Sequence, residues 1–292
     1  MAGVPTFATF WHGDLSPFEA ACIASYVVRG YDITVYSYTP LEDLPPGATP
    51  GDAATIVKQD ALSRFIYRGK PNLSHFSDYF RYLLFKKTDR IWVDADMLLV
   101  RPIDTALPDT LLTRESPTSI CGAIMRLGDK DQHLDRLITQ AEACMGRELQ
   151  WGETGPRLLT KEFGQAALLN QSFGPERFYA ITHDDFWKVF LPEFAEECEA
   201  RTAQSWGVHL WNNIVDTLGY WKLFAPPRGS FLHAKFAADA QLPLFKGIYP
   251  EEVMRRMTTN FRLRKTGEEL GIRQISTQLL PSIRRTIGHY WH

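Results

Sequence analysis

The chain has 292 residues, a formal net charge of −2 and ordinary hydrophobic (45%) and charged (23%) fractions, so it is long enough for one large α/β domain and carries no global field to attract nucleic acid. Four cysteines, Cys22, Cys121, Cys144 and Cys198, lack any CxxC spacing; this points to buried free thiols rather than a zinc knuckle or redox pair. No eighteen apolar residues run together, the first residues lack a basic n-region and an apolar h-region, and no polar linker divides the chain, so a single cytoplasmic domain over 1–292 is expected.

Residues 4–10 form a short β-type run that ends in Trp11-His12-Gly13. Ser16-Pro17-x-Glu19 then reads as a helix start, with Pro near the first helical position and an acid in the first turn. A helix over 20–28, a stop at Gly30 and an alternating strand over 33–38 complete a parallel βαβ unit, which binds ligands at the carboxyl ends of its strands. Trp11, His12 and Gly13 sit at one such end; the plain alternative for Trp11 is a cap on the core. Residues 39–52 are rich in Pro and Gly and read as a loop, 52–65 as a helix, and Gly69-Lys70-Pro71 as a break.

The stretch that organises the chain is SHFSDYFRYLLFKKTDRIWVDADMLLVRPID, residues 74–104. Phe76, Tyr79, Phe80, Leu83 and Leu84 recur at helical spacing, with Asp78 and Arg81 three apart on a neighbouring face. Ile91-Trp92-Val93 reads as a buried strand, and Asp94 and Asp96 leave its end together before a second apolar run over 97–100. Two carboxylates this close repel and hold a proton between them unless a cation neutralises them, which points to Mg2+ or Mn2+.

Strands are expected over 111–113 and 119–125, and a helix over 131–145 with Leu134, Leu137 and Ile138 inward. In Thr154-Gly155-Pro156, Gly155 permits close backbone approach, while Pro156 at the first helical position leaves free amides that favour anions or sugar hydroxyls. Residues 178–181 read as a strand, followed by Asp184 and Asp185, whose adjacency suits a metal less well than the spaced pair. Residues 193–201 read as a solvated helix face or loop. From Glu251 the chain turns basic, a helical segment over 251–292 in which Ile272, Ile275, Leu279, Leu280, Ile283 and Ile287 lie on one face and Pro281 kinks or restarts the helix. It either packs on the domain or makes a peripheral membrane contact.

Ser77-Asp78-x-x-Arg81, the hydrophobic run, Asp94-x-Asp96 and Arg101-Pro102 together resemble the sugar-binding region with a DxD motif. That region is shared by the Golgi initiating mannosyltransferases, the α-1,4-galactosyltransferases, capsular polysaccharide synthesis proteins and, more distantly, the large clostridial glucosylating toxins. The usual Gly-Gly before the strand is replaced here by Lys87-Thr88-Asp89-Arg90. The Thr154-Gly155-Pro156 element and His209-Leu210-Trp211-Asn212 resemble two further elements of the same family.

The resemblance implies an α/β fold of the GT-A type, a Rossmann-like nucleotide-binding sheet flanked by helices, and a metal-dependent glycosyltransferase that retains anomeric configuration. Its donor would be a nucleoside-diphosphate sugar, with UDP favoured, and its acceptor a glycan or lipid-linked sugar. Carried over, Asp78 contacts donor sugar or ribose, Arg81 sugar and diphosphate, and Asp94 and Asp96 metal and nucleotide. Trp11 or His12 stacks on the base, Gly155 and Pro156 form a donor or acceptor wall, Asn212 contacts substrate, and His209, with His233 behind it, completes the metal site. Two rivals are a phosphatase of the haloacid dehalogenase type, whose DxD opens the first strand, and a silent sugar-nucleotide binding protein.

Overall fold

The structure, a computed structural model, describes residues 4–164 and 169–266. Strands β1 (Thr6–Phe10) and β2 (Asp32–Ser37) pair in parallel with Phe10 opposite Tyr36, and α1 (Pro17–Val28) crosses between them. The start of α1 is as its sequence implies: Ser16 Oγ accepts from the Phe18 amide at 3.2 Å, and Pro17 stands at the first turn where no amide is needed.

Residues 39–52 are not wholly loop, because Thr49–Asp52 adds an edge strand, β3, parallel to β2. The helix expected over 52–65 is replaced by two 3-10 pieces, Ala53–Thr55 and Gln59–Arg64. Asp52 caps the first piece through the Ala54 amide, a local bond that competes with a longer helix. At Gly69-Lys70-Pro71 the break is a small hairpin of β4 (Ile66–Tyr67) and β5 (Lys70–Pro71), turned by Arg68 and Gly69 at φ +52° and +72°.

Helix α2 (Leu73–Lys87), capped by Asn72 Oδ1 on the His75 amide, leads into β6 (Ile91–Val93). Phe76, Phe80 and Leu84 are fully buried, so the apolar stripe faces the sheet as its spacing requires. The phenyl ring of Phe80 lies 4.8 Å from that of Phe10 and 6.1 Å from that of Trp92, which fastens α2 over β1 and β6. Strand β6 is parallel to β1 and antiparallel to β9 (Ile120–Arg126), which pairs in turn with β8 (Leu111–Arg114). The resulting six-stranded sheet has the order β3-β2-β1-β6-β9-β8. The expected α/β class, a central sheet flanked by helices, is thus present.

The second apolar run leaves this sheet. Strand β7 (Met97–Leu99) pairs antiparallel with β10 (Gly207–His209), placing His209 opposite Met97. Helices α3 (Gln132–Glu142) and α4 (Pro156–Phe163) pack beside α2 and β9. Phe178, Tyr179 and Ile181 are buried, but residues 178–181 form no strand; their backbone is satisfied singly, as where the His209 amide donates to the Phe178 carbonyl at 3.0 Å. Short helices α5 (Ala195–Arg201), α6 (Asn212–Leu218) and α7 (Phe231–Ala238) follow, and α5 buries Cys198 on its inner side. All four cysteines are buried and free.

In α8 (Glu251–Thr266), Met254 and Phe261 enter the core while Arg255 and Arg256 pair with Glu251, Glu193 and Glu252. This part of the basic segment packs on the protein. Ile272, Ile275, Leu279, Leu280, Ile283 and Ile287 lie outside the described residues. Among those described, no helix is long and apolar enough to cross a membrane.

Candidate functional site: a carboxylate and imidazole cluster at the carboxyl edge of the sheet

Asp94 and Asp96 occupy the turn between β6 and β7. The Asp94 amide donates to the Ala123 carbonyl of β9 at 2.8 Å, which ties the turn to the sheet, and the Met97 amide returns to the Asp94 carbonyl at 2.9 Å, which closes the turn on itself. The β7–β10 register then brings His209 to Asp96, with Nε2 3.4 Å from Oδ2, and the Leu210 amide donates to the Asp96 carbonyl. Trp211 follows in a left-handed conformation, φ +56°, a strained geometry for a bulky residue. It turns the chain so that the Asn212 amide donates to Asp96 Oδ2 at 2.6 Å, and its ring lies 4.2 Å from that of His209.

One ligand atom each from Asp94, Asp96 and His209 lie within 4.8 Å of one another, and no other such trio occurs among the described residues. His209 Nδ1 and Asn212 Oδ1 are buried beside this cluster without a hydrogen-bond partner. Burial pushes the Asp96 carboxyl up, but the facing imidazole and the Asn212 amide outweigh it and hold it below its ordinary range. His209 moves the opposite way: burial disfavours its charge, yet Asp96 raises it above the usual value. Two hard carboxylates, an imidazole and unsatisfied buried polar atoms fit a divalent cation of the Mn2+ or Mg2+ kind. His233, on α7, is not part of the cluster.

The charged pair on α2 joins the same site. The Arg81 guanidinium donates to Asp94 Oδ1 at 3.1 Å, lies 3.2 Å from Asp78 Oδ1, bonds the Gly122 carbonyl and sits over the Trp92 indole at 4.9 Å. Trp92 Nε1 also donates to Asp94 Oδ1, at 2.7 Å. Gly122 is required here, since a Cβ would overlap the guanidinium. Asp78 accepts from Thr154 Oγ1 at 2.9 Å, and its carboxylate lies against Gly155, where a Cβ would again overlap it.

The α4 opening is therefore less free than its sequence implies. Gly155 does allow close approach, but what approaches is Asp78, and the Gly155 and Arg157 amides are already satisfied by the Gly152 carbonyl. Trp11 and His12 follow β1 at the same sheet edge as Asp94; Trp11 is half-buried with Nε1 on the Asp14 carbonyl, and His12 Nδ1 is buried without a partner. Asp184 pairs with Lys265, and Asp185 with Arg201 and Lys188, so neither is drawn into the cluster.

Several members are not evident from the sequence. His75 Nδ1 is 2.7 Å from Thr154 Oγ1, so a buried polar chain runs from His75 through Thr154, Asp78 and Arg81 to Asp94. Only the three-residue spacing of His75 from Asp78 could have signalled it. Because β8 and β6 are both antiparallel to β9, Arg114 and Glu115 also lie at this edge, and the charge of Glu115 reaches His209.

Burial raises Asp78 from 3.8 to about 6, against the opposing pull of Arg81 and Thr154. A carboxyl that holds its proton more tightly folded than unfolded favours the folded state below pH 3.8, and that contribution is lost as pH rises through about 6. Asp78→Asn is accordingly expected to remove a fall in stability of roughly 3 kcal/mol between these values. Urea titrations of both proteins across this range check it, and parallel pH profiles would count against it.

The fold and cluster define an α/β protein with an acidic cluster, of a chemistry that suits a divalent cation, at the carboxyl ends of its parallel strands. Residues 147–220 match the family model described as the alpha 1,4-glycosyltransferase conserved region. The chain is also similar to the lactosylceramide 4-alpha-galactosyltransferase of Rattus norvegicus, 24% identical over 224 residues that cover 73% of this chain. It spans 57% of that relative's length. The resemblance named from the sequence therefore holds, and its matched region includes Thr154, Gly155, His209 and Asn212.

Among solved structures, the PaToxG glycosyltransferase aligns at 12% identity and a TM-score of 0.41 over 57% of this chain and 73% of that one. The glycosyltransferase GlyE of Streptococcus pneumoniae TIGR4, in its apo form, aligns at 12% identity and 0.38 over 70% and 54%. Both alignments are partial, and the site rests on its own geometry.

Proposed function

We propose that the chain is a single-domain, metal-dependent glycosyltransferase that moves a sugar, with retention, from a nucleoside-diphosphate sugar, UDP favoured, to a glycan or lipid-linked acceptor. The observation that carries this reading is the convergence of Asp94, Asp96 and His209 with a buried Arg81 bonded to Asp94. Asp94, Asp96 and His209 would hold the cation. When bound, it supplies Lewis-acid stabilisation of charge on a leaving diphosphate.

The chain's own residues have separable tasks in this reading. Arg81, always charged and held by Asp78, Asp94, Ser77, Gly122 and Trp92, presents fixed positive charge to a diphosphate without reorganising. Asp78, held by Thr154 and Arg81, is oriented to accept from sugar or ribose hydroxyls. The order of elements disfavours the phosphatase, since a full βαβ unit precedes the carboxylate pair. A cytoplasmic location, with the basic C-terminal segment meeting an anionic membrane surface, completes the proposal.

Screening nucleotide sugars by thermal shift with and without Mn2+, then following release of free nucleotide, tests the reading. A metal-dependent shift with one donor and subsequent nucleotide release supports it, whereas a shift without turnover favours a silent binding protein. Trp11→Ala should weaken UDP and donor binding alike by about tenfold, the loss of one base-stacking contact, with little change in melting temperature. A large fall in melting temperature at unchanged UDP affinity would instead make Trp11 a cap on the core.

A further inference from the structure

Two tryptophans among the described residues are substantially exposed, Trp151 at 47% and Trp221 at 59%. Trp221 packs on Phe224, while its amide donates to the Tyr249 hydroxyl. Trp151 differs in what lies behind it. Its indole is 5.7 Å from the Tyr67 ring and 6.1 Å from the His75 ring, and His75 is the outer end of the buried chain through Thr154 and Asp78 to Arg81 and Asp94. Half-exposed Tyr67 carries Arg68 over its own face at 5.2 Å, and exposed Leu73 opens α2 nearby in the chain.

The direction of α2 fixes where this aromatic shelf stands. Because β1 and β6 are parallel and α2 leads into β6, α2 starts at the carboxyl edge of the sheet, the edge that holds Asp94. From Arg81 to His75 is six residues, about 9 Å along the helix at 1.5 Å per residue, so the shelf lies outward of the charged cluster rather than within it. On either side of Trp151 in the chain, Gln150, Glu153 and Arg157 line a cavity of about 570 Å3 between α3 and α4. There Arg157 already donates to Gln150 Oε1 and Glu153 accepts from Arg147 and the Gln150 amide, so the cavity's polar groups are paired, whereas the exposed indole face of Trp151 offers an apolar surface to the C–H face of a ring.

We propose that Trp151 is the floor of a carbohydrate subsite for the acceptor, holding a neutral pyranose ring beyond the residue that receives the transferred sugar. This rests on the glycosyltransferase reading of the cluster. His75, against which Trp151 packs, lies about 9 Å along α2 from Arg81, on the order of the reach to a second ring of a short oligosaccharide, and among the described residues no cation stacks on the indole.

The test uses the 292-residue chain with 15N-labelled indoles and four separate probes: lactose, cellobiose, maltose and mannobiose at millimolar concentration. The Trp151 resonance is assigned by its disappearance in Trp151→Phe. At least one disaccharide is expected to shift it saturably while the more exposed Trp221 stays in place, and Trp151→Ala should weaken that disaccharide's apparent affinity by about 3- to 10-fold. The proposal is overturned if all four leave Trp151 unmoved, or if Trp151 and Trp221 shift together without saturation. UDP with Mn2+, added in a parallel sample, reads the donor site independently: failure there speaks against the glycosyltransferase reading, whatever the disaccharides do.

Discussion

Asp96→Asn is expected to lower transfer by at least about 10³-fold while leaving the protein folded, because an amide cannot supply the anionic ligand on which several kcal/mol of charge stabilisation depends. The shape of the site survives the change. An amide oxygen still accepts from the Asn212 amide, and the β7–β10 register that positions His209 does not involve the Asp96 side chain. Initial rates of nucleotide release, with circular dichroism of the same samples, separate lost chemistry from lost structure. A folded Asp96→Asn protein that keeps full activity in EDTA would remove the cation from the account.

Arg81→Met should produce the largest loss of stability of any single change in the site. Arg81 is 4% exposed and is the charged partner of both Asp78 and Asp94, so its removal strands a buried carboxylate and a partly buried one. Breaking a buried pair from one side costs about 3–5 kcal/mol. Asp94, with 28% side-chain exposure, is partly solvated and lowers that figure, so about 3 kcal/mol near pH 7.5 is the expected loss. Since Asp78 takes up a proton near pH 6, the loss should shrink at pH 5, where the stranded group is neutral. Arg81→Lys is not a conservative change either, because an ammonium cannot span Asp78, Asp94 and the Gly122 carbonyl at once. Urea unfolding at both pH values checks the pattern; a loss below about 1 kcal/mol at each would show that the three groups are not coupled.

Much of this site can be read from the sequence because its members lie on elements with strong local signals. The stripe of Phe76, Phe80 and Leu84 sets the face of α2 and so the direction of Asp78 and Arg81, and the short apolar strand ending at Asp94 fixes the sheet edge. The elements misjudged lack such signals. Thr49–Asp52 contains Pro50 and Gly51 and becomes a strand only because the outer edge of β2 offers it backbone partners. Residues 178–181 have a strand's composition, yet form no strand, although Phe178, Tyr179 and Ile181 are buried.

Contacts made across long sequence separations are the least legible. Thr154 reaches Asp78 over 76 residues and His75 over 79, and nothing in the local pattern of either segment announces the other. The same holds for the left-handed Trp211, a bulky residue in a conformation that its type disfavours, which aims the Asn212 amide at Asp96. The carboxylates show the kind of chemistry and the His209-Leu210-Trp211-Asn212 resemblance points to the imidazole; the tertiary fold alone supplies the buried polar chain behind them.

In the proposed function, Asp94, Asp96 and His209 form a cation site that a nucleoside diphosphate shares. Titration calorimetry of UDP into the protein, once with Mn2+ and once in EDTA, tests it most directly. A cation bridging protein and diphosphate should tighten UDP binding by at least about tenfold, or roughly 1.4 kcal/mol, and Asp96→Asn should abolish that difference. Equal UDP affinity with and without Mn2+ in the wild-type protein would contradict the account.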